Sequence, residues 1–316
     1  MKTNKLYKYI NLLFRIIIGV AAVWFIYIKL KDNFILNLQH ANIEGVNYAL
    51  IILAVLMVFI NWGIEAMKWR YAIRKVEKIS FLKAFKITIT GITLGLITPN
   101  RIGEIPARAL LLDKNLFKEN TLKISVSSFS QVLITLLLGG FGFLLTQDKF
   151  NIEIDSVLIN LILFLLVFGL LLFYFMVNKM EVVFNKIKYF RDKAFFNALS
   201  EFSFIELLNM LIFSFLRYVV FSLQFWLVLK AFGISFVTIN DLLLIPVCFM
   251  FASMIPTILI SEIGVRGSVA LFVFGTISDM EIQIILASVL LWLINVALPA
   301  LAGLGNLKSF KILKER

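Results

Sequence analysis

The chain alternates long apolar runs with short polar breaks. Six runs are long enough to cross a bilayer, at roughly 10–29, 47–67, 123–145, 156–177, 205–229 and 282–303. A helix rising about 1.5 Å per residue needs about 20 apolar residues to cross the hydrocarbon core. Two further regions, about 81–112 and about 238–277, do not fit as simple spans. Each is two shorter apolar halves around a polar break, which predicts a helical hairpin that enters the membrane and leaves by the same side. Four of the five prolines, Pro99, Pro106, Pro246 and Pro256, fall in these two regions. Proline removes a backbone donor and blocks the preceding turn. Backbone broken at membrane depth survives only where protein buries it or a wet cavity meets it. The predicted fold is therefore an all-α polytopic membrane protein, a single domain over 1–316 with six full spans and two re-entrant hairpins. Helix breaks are expected at Pro99, Gly103 and Pro256, and also at Gly264 and Gly267, while Pro106 suits the first turn of a returning helix.

Composition agrees. Of 316 residues, 61% are hydrophobic and 32 are Phe, more than a water-soluble surface can hide; the mean hydropathy is +0.95. The net charge of +12 would fit a nucleic-acid binder if it lay on one soluble domain. It lies instead in short segments between spans. With the N-terminus inside and each hairpin returning to its own side, the inside segments hold 22 Lys and Arg and the outside segments four. That asymmetry orients both termini to the cytoplasm, with hairpin one entering from that side and hairpin two from the other. The basic start followed by an apolar run resembles a signal peptide, but without a small-x-small cleavage site it reads as an uncleaved first span. The segment 185–202 reads as a basic connector lying along anionic headgroups. A single Cys, Cys248, and a single His, His40, leave no basis for a disulfide, a Cys/His metal cluster or Cys/His catalysis within the chain. No metal or cofactor is expected.

Seven charges fall at or near membrane depth: Glu65, Arg101, Glu104, Arg108, Arg217, Glu262 and Arg266. One such charge costs about 2.5–3.5 kcal/mol on insertion scales, so they must meet each other, water or a charged ligand. Glu104 and Arg108 are four apart, as are Glu262 and Arg266, the spacing of a helical ion pair. Glu206, Asn209, Arg217 and Gln224 share one helix face, and Ser127, Ser128, Gln131 and Thr135 another. Asn61 with Glu65, and Ser288 with Asn295, offer further polar faces. These stripes could enclose a cavity, lined by Glu65, Ser127, Gln131, Gln224 and Asn295, or simply bond the helices together. Four arginines against three glutamates suit an anion, most naturally a phosphate gripped by a guanidinium fork. The alternative is a set of charges paired only with one another.

Two stretches carry a family resemblance, ITPNRIGEIPAR (97–108) and IPTILISEIGVRGSVALFVFG (255–275). The first resembles a Thr-Pro-x-x-x-Gly-Asp/Glu…Arg element, and the second a Pro…Gly-x-Arg element, of the transmembrane region of lysylphosphatidylglycerol synthases, a flippase-like family. Asn100 stands where a glycine is common, and Ser261-Glu262 and Gly267 stand where that family often has Gly-Gly and a following acid. The resemblance implies a lipid-translocating domain of a bacterial cytoplasmic (inner) membrane. Its partners would be membrane lipids, an anionic phospholipid or a polyprenyl phosphate, and not nucleic acid. An anionic headgroup would lie among Arg101, Glu104, Arg108, Arg217, Glu262 and Arg266. No soluble aminoacyl-transferring domain is expected, so lysyl transfer is not. Three other functions compete. A membrane-embedded transferase on a lipid or polyprenyl phosphate would need a nucleophile–base pair or metal cluster, and no catalytic constellation is visible. An ion-coupled small-solute transporter would share the broken helices. An accessory lipid-binding protein would act through a partner enzyme.

Overall fold

The computed structural model describes residues 45–96, 98–150, 156–179, 193–257 and 259–307, together with Val20 and Trp24. The expected first span, His40 and most of the basic connector lie outside the described residues. Those described are helical, without strands: α1 (Tyr48–Ile73), α2 (Phe81–Gly95), α3 (Glu104–Leu110), α4 (Phe117–Thr146), α5 (Ser156–Phe175), α6 (Lys193–Ser200), α7 (Phe204–Ala231), α8 (Ile239–Leu242), α9 (Leu244–Met254), α10 (Leu259–Phe274), α11 (Glu281–Trp292) and α12 (Leu298–Leu307). A π turn, Leu293–Ala297, joins the last two into one long helix. Five segments are long and apolar enough to span a membrane, and they coincide with five of the six predicted runs. The chain is a polytopic all-α membrane protein.

Local chemistry sets the helix starts. The Asn47 side chain accepts from the Ala49 and Leu50 amides at the start of α1, and Ser80 accepts from Lys83 at the start of α2. Ser203 and Glu206 form a reciprocal capping box on α7. α5 keeps most of its apolar surface outward, Leu161 and Phe164 among it, as a helix facing lipid does.

The two ends of the bundle are chemically distinct. At one end Arg74 and Lys75, following α1, pair with Glu206 on α7. Hairpin one stands at this end on both feet. Glu77 pairs with Lys83 on α2 at 3.6 Å, and its carboxylate accepts from the Asp113 amide just past α3 at 3.1 Å. Hairpin two stands at the other end. Asp241 on α8 pairs with Lys149, just past α4, at 2.9 Å, and Phe236, after α7, packs edge-on against Phe274, the last residue of α10. The tips of the two hairpins then meet. The Asn100 amide donates to the Thr257 carbonyl at 3.0 Å, and the Thr257 hydroxyl donates to Asn100 Oδ1 at 3.3 Å.

The breaks fall at Pro99, Gly103 and Pro256 as expected, with Pro106 in the first turn of α3. Gly264 and Gly267 do not break the chain. α10 runs continuously through both, because one glycine costs a helix only about 1 kcal/mol and neighbouring packing repays that.

Candidate functional site

The site is built where α1, α4, α7 and the π turn face the two hairpin tips. α1 contributes Asn61, Glu65 and Lys68, spaced so that all three share a face. α3 contributes Glu104 and Arg108, and it can lie close to α2 because α2 carries glycine there. A Cβ on Gly91 would stand 2.9 Å from Arg108 Cγ, and one on Gly95 would stand 3.0 Å from the Glu104 amide nitrogen. The first tip contributes Arg101, held with φ of 56° beside Asn100 at 47°. This left-handed backbone is tolerated by asparagine better than by most residues. α10 brings Glu262 and Arg266 from the other side.

These charges form one alternating chain. Lys68 Nζ lies 3.0 Å from Glu65, and Arg217 lies 3.2 Å from the same carboxylate. Arg108 bridges Glu65 at 2.7 Å and Glu104 at 3.0 Å. Arg101 stands 3.8 Å from Glu104 and 3.4 Å from Glu262, which pairs with Arg266 at 2.9 Å. The Arg101–Glu262 contact joins the two hairpins. All seven charges expected at membrane depth are thus brought together, each with an opposite charge within 3.4 Å. Lys68 makes five cations against three carboxylates, a surplus of two positive charges.

The members differ in access, and that difference decides what each can do. Arg108 and Lys68 are 3% and 0% exposed and hold Glu65 from within. Arg217, Arg101 and Arg266 keep 19%, 22% and 25% of their side chains open. The cations a ligand can reach are therefore three arginines. Neutral groups orient Arg217: its Nε donates to Asn61 Oδ1 at 3.0 Å, an Nη donates to Gln131 Oε1 at 3.4 Å, and its guanidinium lies over the Trp62 ring at 4.7 Å. Asn61 in turn donates to Asn295 Oδ1 at 2.7 Å. The π turn explains the position of Asn295. Pro299 has no N–H for the Asn295 carbonyl, and the Trp62 indole donates to that carbonyl instead at 3.1 Å.

Of the expected lining residues, Glu65, Gln131 and Asn295 belong to this network. Ser127 and Gln224 do not. Gln224 donates to the Ala54 carbonyl at 2.8 Å and ties α7 to α1. It shares a face with Arg217 but lies seven residues, about 10 Å, further along the helix. Ser127 is buried on α4, where its carbonyl accepts from Ser130 at 2.7 Å. Glu206 and Asn209 also fall outside the network, Glu206 at the basic end and Asn209 bonded to the Tyr71 hydroxyl. Lys68 joins the seven expected charges, although it falls one residue beyond the apolar run 47–67. Its signal was there, three residues beyond Glu65 on the same face. Outside the network two apolar clefts open, of about 390 Å³ between α9 and α10 and about 220 Å³ between α4 and α5.

Two broken hairpins that enter from opposite ends of a helical bundle and join their charged tips define a class of polytopic membrane protein with an ionic site between its hairpins. The sequence model of the lysylphosphatidylglycerol synthase transmembrane region matches residues 12–303, and the chain belongs to that family, whose members are associated with membrane lipid handling. No curated protein matches it.

Proposed function

We propose that this protein binds the anionic headgroup of a membrane lipid at the junction of its hairpin tips and moves the lipid between leaflets of a bacterial cytoplasmic membrane. The observation that carries this reading is the surplus of positive charge presented on the three accessible arginines, Arg101, Arg217 and Arg266, while the carboxylates of Glu65 and Glu262 stay covered. A phosphate could replace Glu104 and Glu262 as partner of Arg101 and Arg266, since guanidinium forks suit both anions. The acyl chains would remain in the bilayer. Separating the tips on alternate sides would expose the headgroup to each leaflet in turn, with no bond made or broken.

The test is transfer of labelled phosphatidylglycerol between leaflets of liposomes carrying the purified protein. Arg217→Ala should slow transfer by about tenfold or more, since a hydrogen bond to a charged group contributes about 1.5–3 kcal/mol. Arg217→Lys, which keeps the charge but loses the fork, should fall between. Transfer by Arg217→Ala at the native rate would remove Arg217 from the site. No transfer by the folded native protein, with phosphatidylglycerol still retained on it, would reduce the reading to binding alone.

A further inference from the structure

Lys68 and Arg108 are the two covered cations that the headgroup reading leaves unused, and Lys68 is the one that is not an arginine. Its side chain has no exposed surface. The ammonium lies 3.0 Å from Glu65 on its own helix, 3.2 Å from Ser214 Oγ on α7 and 3.5 Å from Gln131 Oε1 on α4. The other charges around it are Arg108 from α3 and Arg217 from α7, both drawn to the same Glu65 carboxylate. Four of the five cations are arginines, which keep their protons at any working pH. Lys68 alone can lose its charge.

Its surroundings suit both forms. The ammonium donates to Gln131 and Ser214 and is ion-paired with Glu65. A neutral amine would need one donor, and the Ser214 hydroxyl can supply it by turning away from Ser130, whose oxygen is 2.7 Å distant. Glu65 would not be orphaned, because Arg108 and Arg217 remain at 2.7 and 3.2 Å. Loss of the proton therefore halves the surplus charge of the site and leaves Glu65 ion-paired with two arginines. Breaking a buried pair is normally strongly destabilising, and this arrangement avoids it.

We infer that Lys68 is a proton-linked switch on the anion site: the anionic headgroup is held while Lys68 is charged and released as Lys68 becomes neutral. This rests on the headgroup reading above. The Nζ–H bond breaks, the electron pair stays on nitrogen, and the proton passes to water that reaches the network beside Arg217. A proton gradient could then drive lipid movement in one direction.

The test measures binding of dihexanoyl phosphatidylglycerol to the detergent-solubilised full chain across a pH series. Native affinity should fall as pH rises through the titration of Lys68, approaching about tenfold per pH unit for one linked proton. Lys68→Met should bind at the native high-pH affinity at every pH, and Lys68→Arg at the native low-pH affinity, both without the slope. A slope that survives in Lys68→Met, or a native protein that binds with no slope, overturns the switch and leaves the headgroup site standing. No binding by the native chain at any pH overturns the headgroup site itself. Should neither variant fold, proton uptake by the native protein on adding the lipid, followed by an indicator dye in weak buffer, decides the matter: no uptake overturns the switch.

Discussion

Glu65 is the carboxylate on which Lys68, Arg108 and Arg217 converge, from three helices. Removing its charge leaves Lys68, whose side chain has no exposed surface, without a counter-charge and leaves Arg108 on Glu104 alone, and breaking buried pairs of this kind costs about 3–5 kcal/mol. Glu65→Gln should therefore lower the melting temperature in detergent far more than Glu104→Gln. Losing Glu104 still leaves Arg108 on Glu65 and Arg101 on Glu262. Equal melting temperatures for the two variants would show that Glu65 does not hold the network together. The same residue marks how far the sequence could be read. Isolated charges in apolar runs stand out, so all seven were legible singly, and the two i,i+4 pairs were legible as pairs. The link from Glu65 to Arg108, 43 residues away, was not. It depends on the angle at which α3 returns beside α1, which no local spacing encodes.

Elements were legible where chemistry is local and illegible where neighbours decide. Proline and glycine announce a break, and hydropathy gives a helix its length, so the hairpins could be drawn from the chain. The continuity of α10 through Gly264 and Gly267 could not, because helix propensity alone does not say what packs around a glycine. Nor could the hydrogen-bonded latch between the two tips. Asn100 takes a left-handed conformation and exchanges hydrogen bonds with Thr257, so the tips are latched as well as ion-paired. If lipid movement requires the tips to part, locking them must stop it. Asn100→Cys with Thr257→Cys, in a Cys248→Ala background, should form a disulfide under mild oxidation, since the two backbones are within hydrogen-bond reach. Lipid transfer should stop on oxidation and recover on reduction. Transfer at the native rate with the disulfide intact would mean that the tips stay joined throughout.

At the scale of the whole molecule, the argument turns on each hairpin returning to the end from which it came. The sequence supports this through its charge asymmetry, and the fold through contacts between the feet, Glu77 with Asp113 at one end and Phe236 with Phe274 at the other. If hairpin one crossed the bilayer instead, Lys78 and Lys114 would face opposite compartments. If hairpin two crossed, Lys230 and Asp279 would. All four are exposed, and the native thiol of Cys248 is buried, so a small set of single cysteines can decide. In a Cys248→Ala background, Lys78→Cys and Lys114→Cys should react with a membrane-impermeant maleimide from the same side, and Lys230→Cys and Asp279→Cys together from the other. The first pair should be the cytoplasmic one, because the excess of Lys and Arg lies there. A split within either pair would turn that hairpin into a full span. Its charged tip would then have to cross the bilayer, and the junction of Arg101 with Glu262 would no longer join segments entering from opposite sides.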